Sequence, residues 1–127
     1  MSLSENDISY NIRGGIFKVY KNLGPGLLES VYEAALEYEL LKMGHKVKKQ
    51  VGLPVKYEDN LLELGFRLDI LVDDLVIIEI KSVEVLAPIH FKQLLTYLRL
   101  ANMKLGILVN FNCDNLESNI KRVVNNL

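Results

Sequence analysis

Apolar residues along this chain change period from helical to alternating and back, and the changes mark out its elements. Ser4 with Asp7 has the spacing of a capping box. Ile8, Ile12, Ile16, Val19 and Leu23 then recur at helical intervals, which predicts a helix over about 5–22. Gly14-Gly15 weakens that helix without breaking it. Leu23-Gly24-Pro25-Gly26 is a stop and a restart. A second helix is expected from about 26 to 43, apolar on most sides and therefore largely buried, ending at Gly44. Residues 46–57 alternate, with Val47, Val51, Val55 and Tyr57 as apolar positions and a break expected at Gly52-Leu53-Pro54. Glu58-Asp59-Asn60 is a turn, and strands follow over about 61–72 and 75–81. Pro88 can open a third helix, about 88–102, with Phe91, Leu94, Leu95, Leu98 and Ala101 on its apolar face. Gly106 to Phe111 is a short apolar strand, and the tail, 114–127, fits either a helix or a short strand at Ile120–Val124. The order α-α-β-β-β-α-β, without repeats or linkers, predicts an α/β (α+β) fold with a mixed sheet flanked by helices.

Two of the strands carry charges where a buried strand should have none. Phe66-Arg67-Leu68-Asp69-Ile70-Leu71-Val72 contains Asp69, and Leu75-Val76-Ile77-Ile78-Glu79-Ile80-Lys81 contains Glu79 and Lys81. Buried charge is expensive unless it is paired or binds something. Two carboxylates and an ammonium on one sheet surface suit a divalent cation and an activated water. Glu79 and Lys81, two apart, share a strand face. Asp69 joins them only if the hairpin register allows it. A two-residue turn at Asp73-Asp74 would set Asp69 opposite Ile78, whereas a three-residue loop, Asp73 to Leu75, or a bulge would set it opposite Glu79. The blander reading is an ion pair on a solvated hairpin face.

Other candidates are weaker on their own. Gln93 and Tyr97 are one turn apart on the third helix, with His90 a turn earlier, and could orient a substrate or simply pack at a rim. His90 by itself fits a surface or capping role better than a ligand. Glu29, near Tyr32 and Glu33, lies in the first turn of the second helix, where the helix dipole alone would favour it. Lys42, His45, Lys46, Lys48 and Lys49 form the one local basic cluster, which could hold a phosphate backbone or be a solvated loop and strand edge.

Composition limits the functional classes. The 127 residues suit one domain spanning 1–127, 50% hydrophobic and 24% charged. A net charge of −1 supplies no global field toward nucleic acid or membrane, so any polyanion site must be local. Cys113, the single cysteine, excludes an intrachain disulfide and fits a reducing compartment. Neither a leader nor a spanning segment is expected, which leads to a cytoplasmic reading with no membrane partner.

Gly26-Leu27-Leu28-Glu29-Ser30-Val31-Tyr32 resembles the signature of the small prokaryotic GxxExxY family. The resemblance runs in order through Phe66–Asp69, Val76–Lys81, Gln93–Leu98, Leu105–Phe111 and Ile120–Val124, almost the whole chain. That family is similar to a compact branch of the PD-(D/E)XK nuclease-like superfamily. The resemblance implies a restriction-endonuclease-like core, α-β-β-β-α-β with a four-stranded mixed sheet, here with an extra N-terminal helix. It maps the helix acid onto Glu29, the Asp onto Asp69, the E-x-K onto Glu79 and Lys81, and the Q-x-x-x-Y of the RecB-like branch onto Gln93 and Tyr97. Leu68 replaces the usual proline. It further implies Mg²⁺ or Mn²⁺ held by Asp69, Glu79, the Ile80 carbonyl and Glu29, with Lys81 at the attacking water and Gln93 and Tyr97 bracing the site. The implied reaction is phosphodiester hydrolysis of nucleic acid, DNA or RNA. The alternatives are a non-catalytic nucleic-acid- or protein-binding module on the same fold, or an enzyme acting on a small phosphate compound. A homodimer would enlarge the surface that so small a chain offers to a duplex.

Overall fold

The computed structural model describes residues 3–127, with side chains for all of these but 63 and 64. Its helices are α1 (Glu5–Leu23), α2 (Glu29–Lys42) and α3 (Pro88–Ala101). Its strands are β1 (Val47–Tyr57), β2 (Asn60–Val72), β3 (Val76–Lys81), β4 (Leu105–Asn110) and β5 (Ile120–Val124). They form one sheet in the order β1-β2-β3-β4-β5, antiparallel except for the β3–β4 pair, which α3 connects by a crossover. The expected helix–strand order is therefore present, and the ambiguous tail forms one 3₁₀ turn (Glu117–Asn119) and then a strand. That strand extends the expected four-stranded core to five.

The Ser4 hydroxyl accepts from the Asp7 N–H at 3.2 Å while the Asp7 carboxylate accepts from the Ser4 N–H at 3.1 Å, the capping box read from the sequence. Ile8, Ile12, Ile16 and Val19 are the buried stripe of α1. α2 differs from expectation in two ways. It begins at Glu29 rather than 26, because the preceding loop is held open by its own partner. The Tyr32 hydroxyl donates to the Gly24 carbonyl at 2.6 Å and accepts from the Leu27 N–H at 3.1 Å, while Gly24 and Gly26 take positive φ of 69° and 96°. The Tyr32 ring also stacks on Phe111, centroids 4.3 Å apart. Nor is α2 apolar all round. Only Tyr32, Leu36 and Leu40 are fully buried, and Val31, Tyr38 and Leu41 face outward. Spacing by four gives a single buried stripe, so apolar residues between those positions point to solvent.

The two cores lie on opposite faces of the sheet. Ile70, Val72, Val76, Ile78, Ile80, Leu105, Ile107 and Val109 pack under α1 and α2. Leu71, Ile77 and Leu108 pack under Leu94 and Leu98 of α3. Gly106 lets α3 approach, since a Cβ there would meet Leu94 at 2.9 Å. The break expected at Gly52–Pro54 is a register shift between Leu53 and Val55 within a strand that continues to Tyr57.

Candidate active site

The hairpin joining β2 and β3 decides whether the three charges meet. Val72 pairs with Val76, Leu71 with Ile77 and Ile70 with Ile78. The connection is therefore the three-residue one, Asp73 to Leu75, and the same register carried one step further sets Asp69 opposite Glu79. Asp73 and Asp74 both take positive φ, 53° and 56°, and the Leu75 N–H donates to the Val72 carbonyl at 3.0 Å. Asp73 is fixed from outside the turn. Its carboxylate accepts from His45 Nδ1 at 2.6 Å and from the Lys46 N–H at 2.8 Å, and its own N–H donates to the Lys46 carbonyl. Asn11 Nδ2 lies 3.0 Å from His45 Nε2, an amide donor that leaves Nδ1 to carry the proton toward Asp73.

Past Ile70–Ile78 the paired ladder stops, and carboxylates take its place. The Ile80 N–H donates to Asp69 Oδ2 at 2.8 Å, and the Asp69 N–H donates to Glu79 Oε1 at 3.3 Å. Each acid thus uses one oxygen on the opposite strand. Glu79 is buried, and its carboxyl is pushed up to about 8. Burial is the main cause and the neighbouring Asp69 charge adds to it, against a smaller opposing effect of the Lys81 ammonium. Among the described residues Lys81 forms no ion pair with either acid. It is half-buried at the end of β3.

Glu29 and Asn110 hold the chain that leaves Lys81. Glu29 Oε2 accepts from the Ser82 N–H at 3.0 Å, and the Ser82 hydroxyl donates to the Leu27 carbonyl at 2.8 Å. The fully buried Asn110 side chain makes two bonds to the Val83 backbone, 3.0 and 2.9 Å. Tyr97 stacks on Phe66, centroids 4.1 Å apart, and its hydroxyl pKa is raised by burial and by the charges of Glu79 and Asp69. Gln93 is exposed on the same helix. His90 does not join it, since its Nδ1 accepts from the Ala87 N–H at 3.0 Å and caps α3. The structure so gathers Asp69, Glu79, Lys81 and Tyr97, with Glu29 at the rim.

Two residues that the sequence reading did not single out as functional also reach this place. Glu33, one turn beyond Glu29, accepts from Gln50 Nε2 at 2.9 Å, and burial together with the nearby Asp69 charge raises its carboxyl pKa. Gln50 holds a positive φ of 52° within β1. Hydropathy carries no signal for either, although Glu33 at four residues from Glu29 shares its helix face. The basic cluster takes the blander role. Lys46 and Lys48 pair with Asp74, Lys49 with Glu37, Lys42 with Glu39, and His45 is buried on Asp73.

Among the described residues no three His, Cys, Asp or Glu side chains are close enough together to hold a metal ion. The donors present still fit a hard divalent cation. Asp69 and Glu79 are adjacent oxygen donors, and burial beside Asp69 holds the Glu79 carboxyl toward its protonated form, a penalty that a bound cation would offset.

A five-stranded mixed sheet whose central hairpin opens around an Asp, a Glu and a Lys defines a nuclease-like α/β domain. A family model for the PD-(D/E)XK nuclease superfamily matches residues 6–123, and the chain belongs to that superfamily. Its nucleases generally use divalent metal ions, and their substrates are nucleic acids. No curated protein and no solved structure matches the chain. Among the described residues no helix is long and apolar enough to cross a membrane.

Proposed function

We propose that the chain is one PD-(D/E)XK-like domain of the GxxExxY branch, over 1–127, and a divalent-metal-dependent nuclease that hydrolyses phosphodiester bonds. The observation that carries this reading is the Asp69–Glu79 pair in the opened β2–β3 gap, near an ammonium that forms an ion pair with neither acid. Asp69, Glu79 and the Ile80 carbonyl would hold Mg²⁺ or Mn²⁺, with Glu29 contributing at the rim, directly or through water. Bound there, the ion would supply Lewis-acid stabilisation of the phosphate and a more acidic water. Lys81 stands next in the strand and places positive charge where the phosphate gains negative charge. Tyr97 presents a protonated hydroxyl beside the acids, suited to donate to a phosphate oxygen, and Gln93 extends that edge toward the substrate. The cytoplasm is the proposed compartment, and a homodimer the proposed assembly for gripping a duplex.

Titration of Mn²⁺ into wild type and Asp69→Ala by calorimetry, with cleavage assays on DNA and RNA, tests the reading. Metal binding and cleavage should both disappear in Asp69→Ala. Binding without cleavage on any substrate would move the function to a non-catalytic module. Absence of binding to wild type at millimolar ion would remove the metal mechanism.

A further inference from the structure

β1 and β2 turn over together at the level of the site. Below it, Val47, Ile70 and Val72 pack on the core under α1 and α2. Above it, Val51, Leu53, Phe66 and Leu68 pack on the opposite core, under α3. Leu68 is two residues from Ile70, and Val51 four from Val47, so regular alternation would keep each pair on one face. The pairing register nevertheless does not change across the turnover: Lys49 is opposite Ile70 and Val51 opposite Leu68. Both strands therefore lose one step of pleat at the same place, between those two pairs. On β1 that place is Gln50, with its φ of 52°, and on β2 it is Asp69. A left-handed backbone in a non-glycine residue costs about 1 kcal/mol and persists where the surroundings impose it.

The turnover accounts for where the Asp69 carboxylate lies. A side chain on a regular strand stands off the sheet, above or below. Asp69 instead reaches across the gap to the Ile80 N–H at 2.8 Å, within the layer of the backbone. Gln50 also clamps Glu33 through its amide at 2.9 Å, so the same residue ties the turnover to α2. We infer that Gln50 is a positioning residue for the site: its left-handed backbone rotates the β1–β2 ribbon at Asp69 and so aims the Asp69 carboxylate into the gap beside Glu79. The inference deepens the metal-site reading above and rests on it for its meaning in catalysis, though not for its geometry.

The test compares Gln50→Gly and Gln50→Asn, which tolerate positive φ, with Gln50→Val, which resists it. Gln50→Ala replaces the valine variant if that one does not fold. Two readouts are used: amide hydrogen exchange at Ile80 in metal-free protein, and Mn²⁺ affinity by calorimetry. Valine should speed Ile80 exchange at least tenfold and weaken Mn²⁺ at least tenfold, while glycine and asparagine stay within about threefold of wild type. Wild-type exchange at Ile80 in Gln50→Val, or equal loss in glycine and valine, would overturn the role given to the backbone. If wild type binds no Mn²⁺, the metal reading falls, and Ile80 exchange still decides the placement of Asp69.

Discussion

Glu79 is buried beside a second carboxylate, and its chemistry follows from that. Its carboxyl titrates about 8 in the folded chain against 4.5 when unperturbed. Between these values the native state keeps a proton that the unfolded chain has lost, so this group lowers stability progressively as pH rises from 4.5 to about 8. In metal-free protein with chelator, Glu79→Gln should therefore gain thermal stability relative to wild type as pH is raised through that window. Equal melting-temperature profiles for the two proteins would show that Glu79 is not desolvated as described. Lys81 carries the complementary prediction. Since its ammonium pairs with neither acid, Lys81→Ala should leave Mn²⁺ affinity within a few fold while cutting cleavage by about a hundredfold or more. Parallel loss of both would mean that the ammonium holds the acids together rather than acting on substrate.

At the scale of elements, the site depends on one odd hairpin. Asp73 holds that hairpin by three hydrogen bonds, two of them to its carboxylate, and one of those comes from the buried His45. Removing the carboxylate leaves the His45 Nδ1 proton without a partner and puts alanine at positive φ. Asp73→Ala should cost about 2–3 kcal/mol in urea unfolding. A change within about 0.5 kcal/mol would show that the turn is set by its own residues rather than by His45. α2 acts through its first turn. Glu29 bonds the chain just past Lys81, and Tyr32 braces the loop before the helix, so the Gly-x-x-Glu-x-x-Tyr spacing links two loops that flank the site. Half of that motif is structural, as Gly26 and Tyr32 show, and the Glu29 bond joins the structural half to the chemistry.

For the whole molecule, charge limits how nucleic acid can be held. The net charge is −1, and Lys42, Lys46, Lys48 and Lys49 are already paired with acids of this chain. That cluster, the densest run of lysines in the chain, is then largely neutralised as a place to displace counterions from a phosphate backbone, so the dependence of binding on salt should be shallow. In a double-logarithmic plot the slope should be no steeper than about −4, measured by fluorescence anisotropy in Ca²⁺. A steep slope, near −8, would show that basic residues outside that cluster, or on a second copy of the chain, hold the backbone. Leu28 before α2, Val85 before α3 and Ile89 in the first turn of α3 are exposed apolar side chains.

Local chemistry was sufficient to read much of this. The helix spacings of α1 and α3, the capping box at Ser4 and Asp7, and the charges at Asp69, Glu79 and Lys81 are all visible within a few residues of one another. Register is local too, because the parity of a hairpin loop decides whether two residues face each other, and the three-residue loop is the one present. What the sequence could not determine depends on contacts between distant segments. His45 and Asn11 come from outside the turn they brace, and Glu29 bonds a residue on another element. The tail becomes a strand only because the edge of β4 is there to pair with it. The turnover at Gln50 and Asp69 leaves no mark in hydropathy, since apolar residues continue on both sides and only the face they meet changes. Alternation specifies that a strand has two faces. Which core each face meets, and where the pleat slips so that a carboxylate enters the sheet, is decided by packing against both helical layers at once.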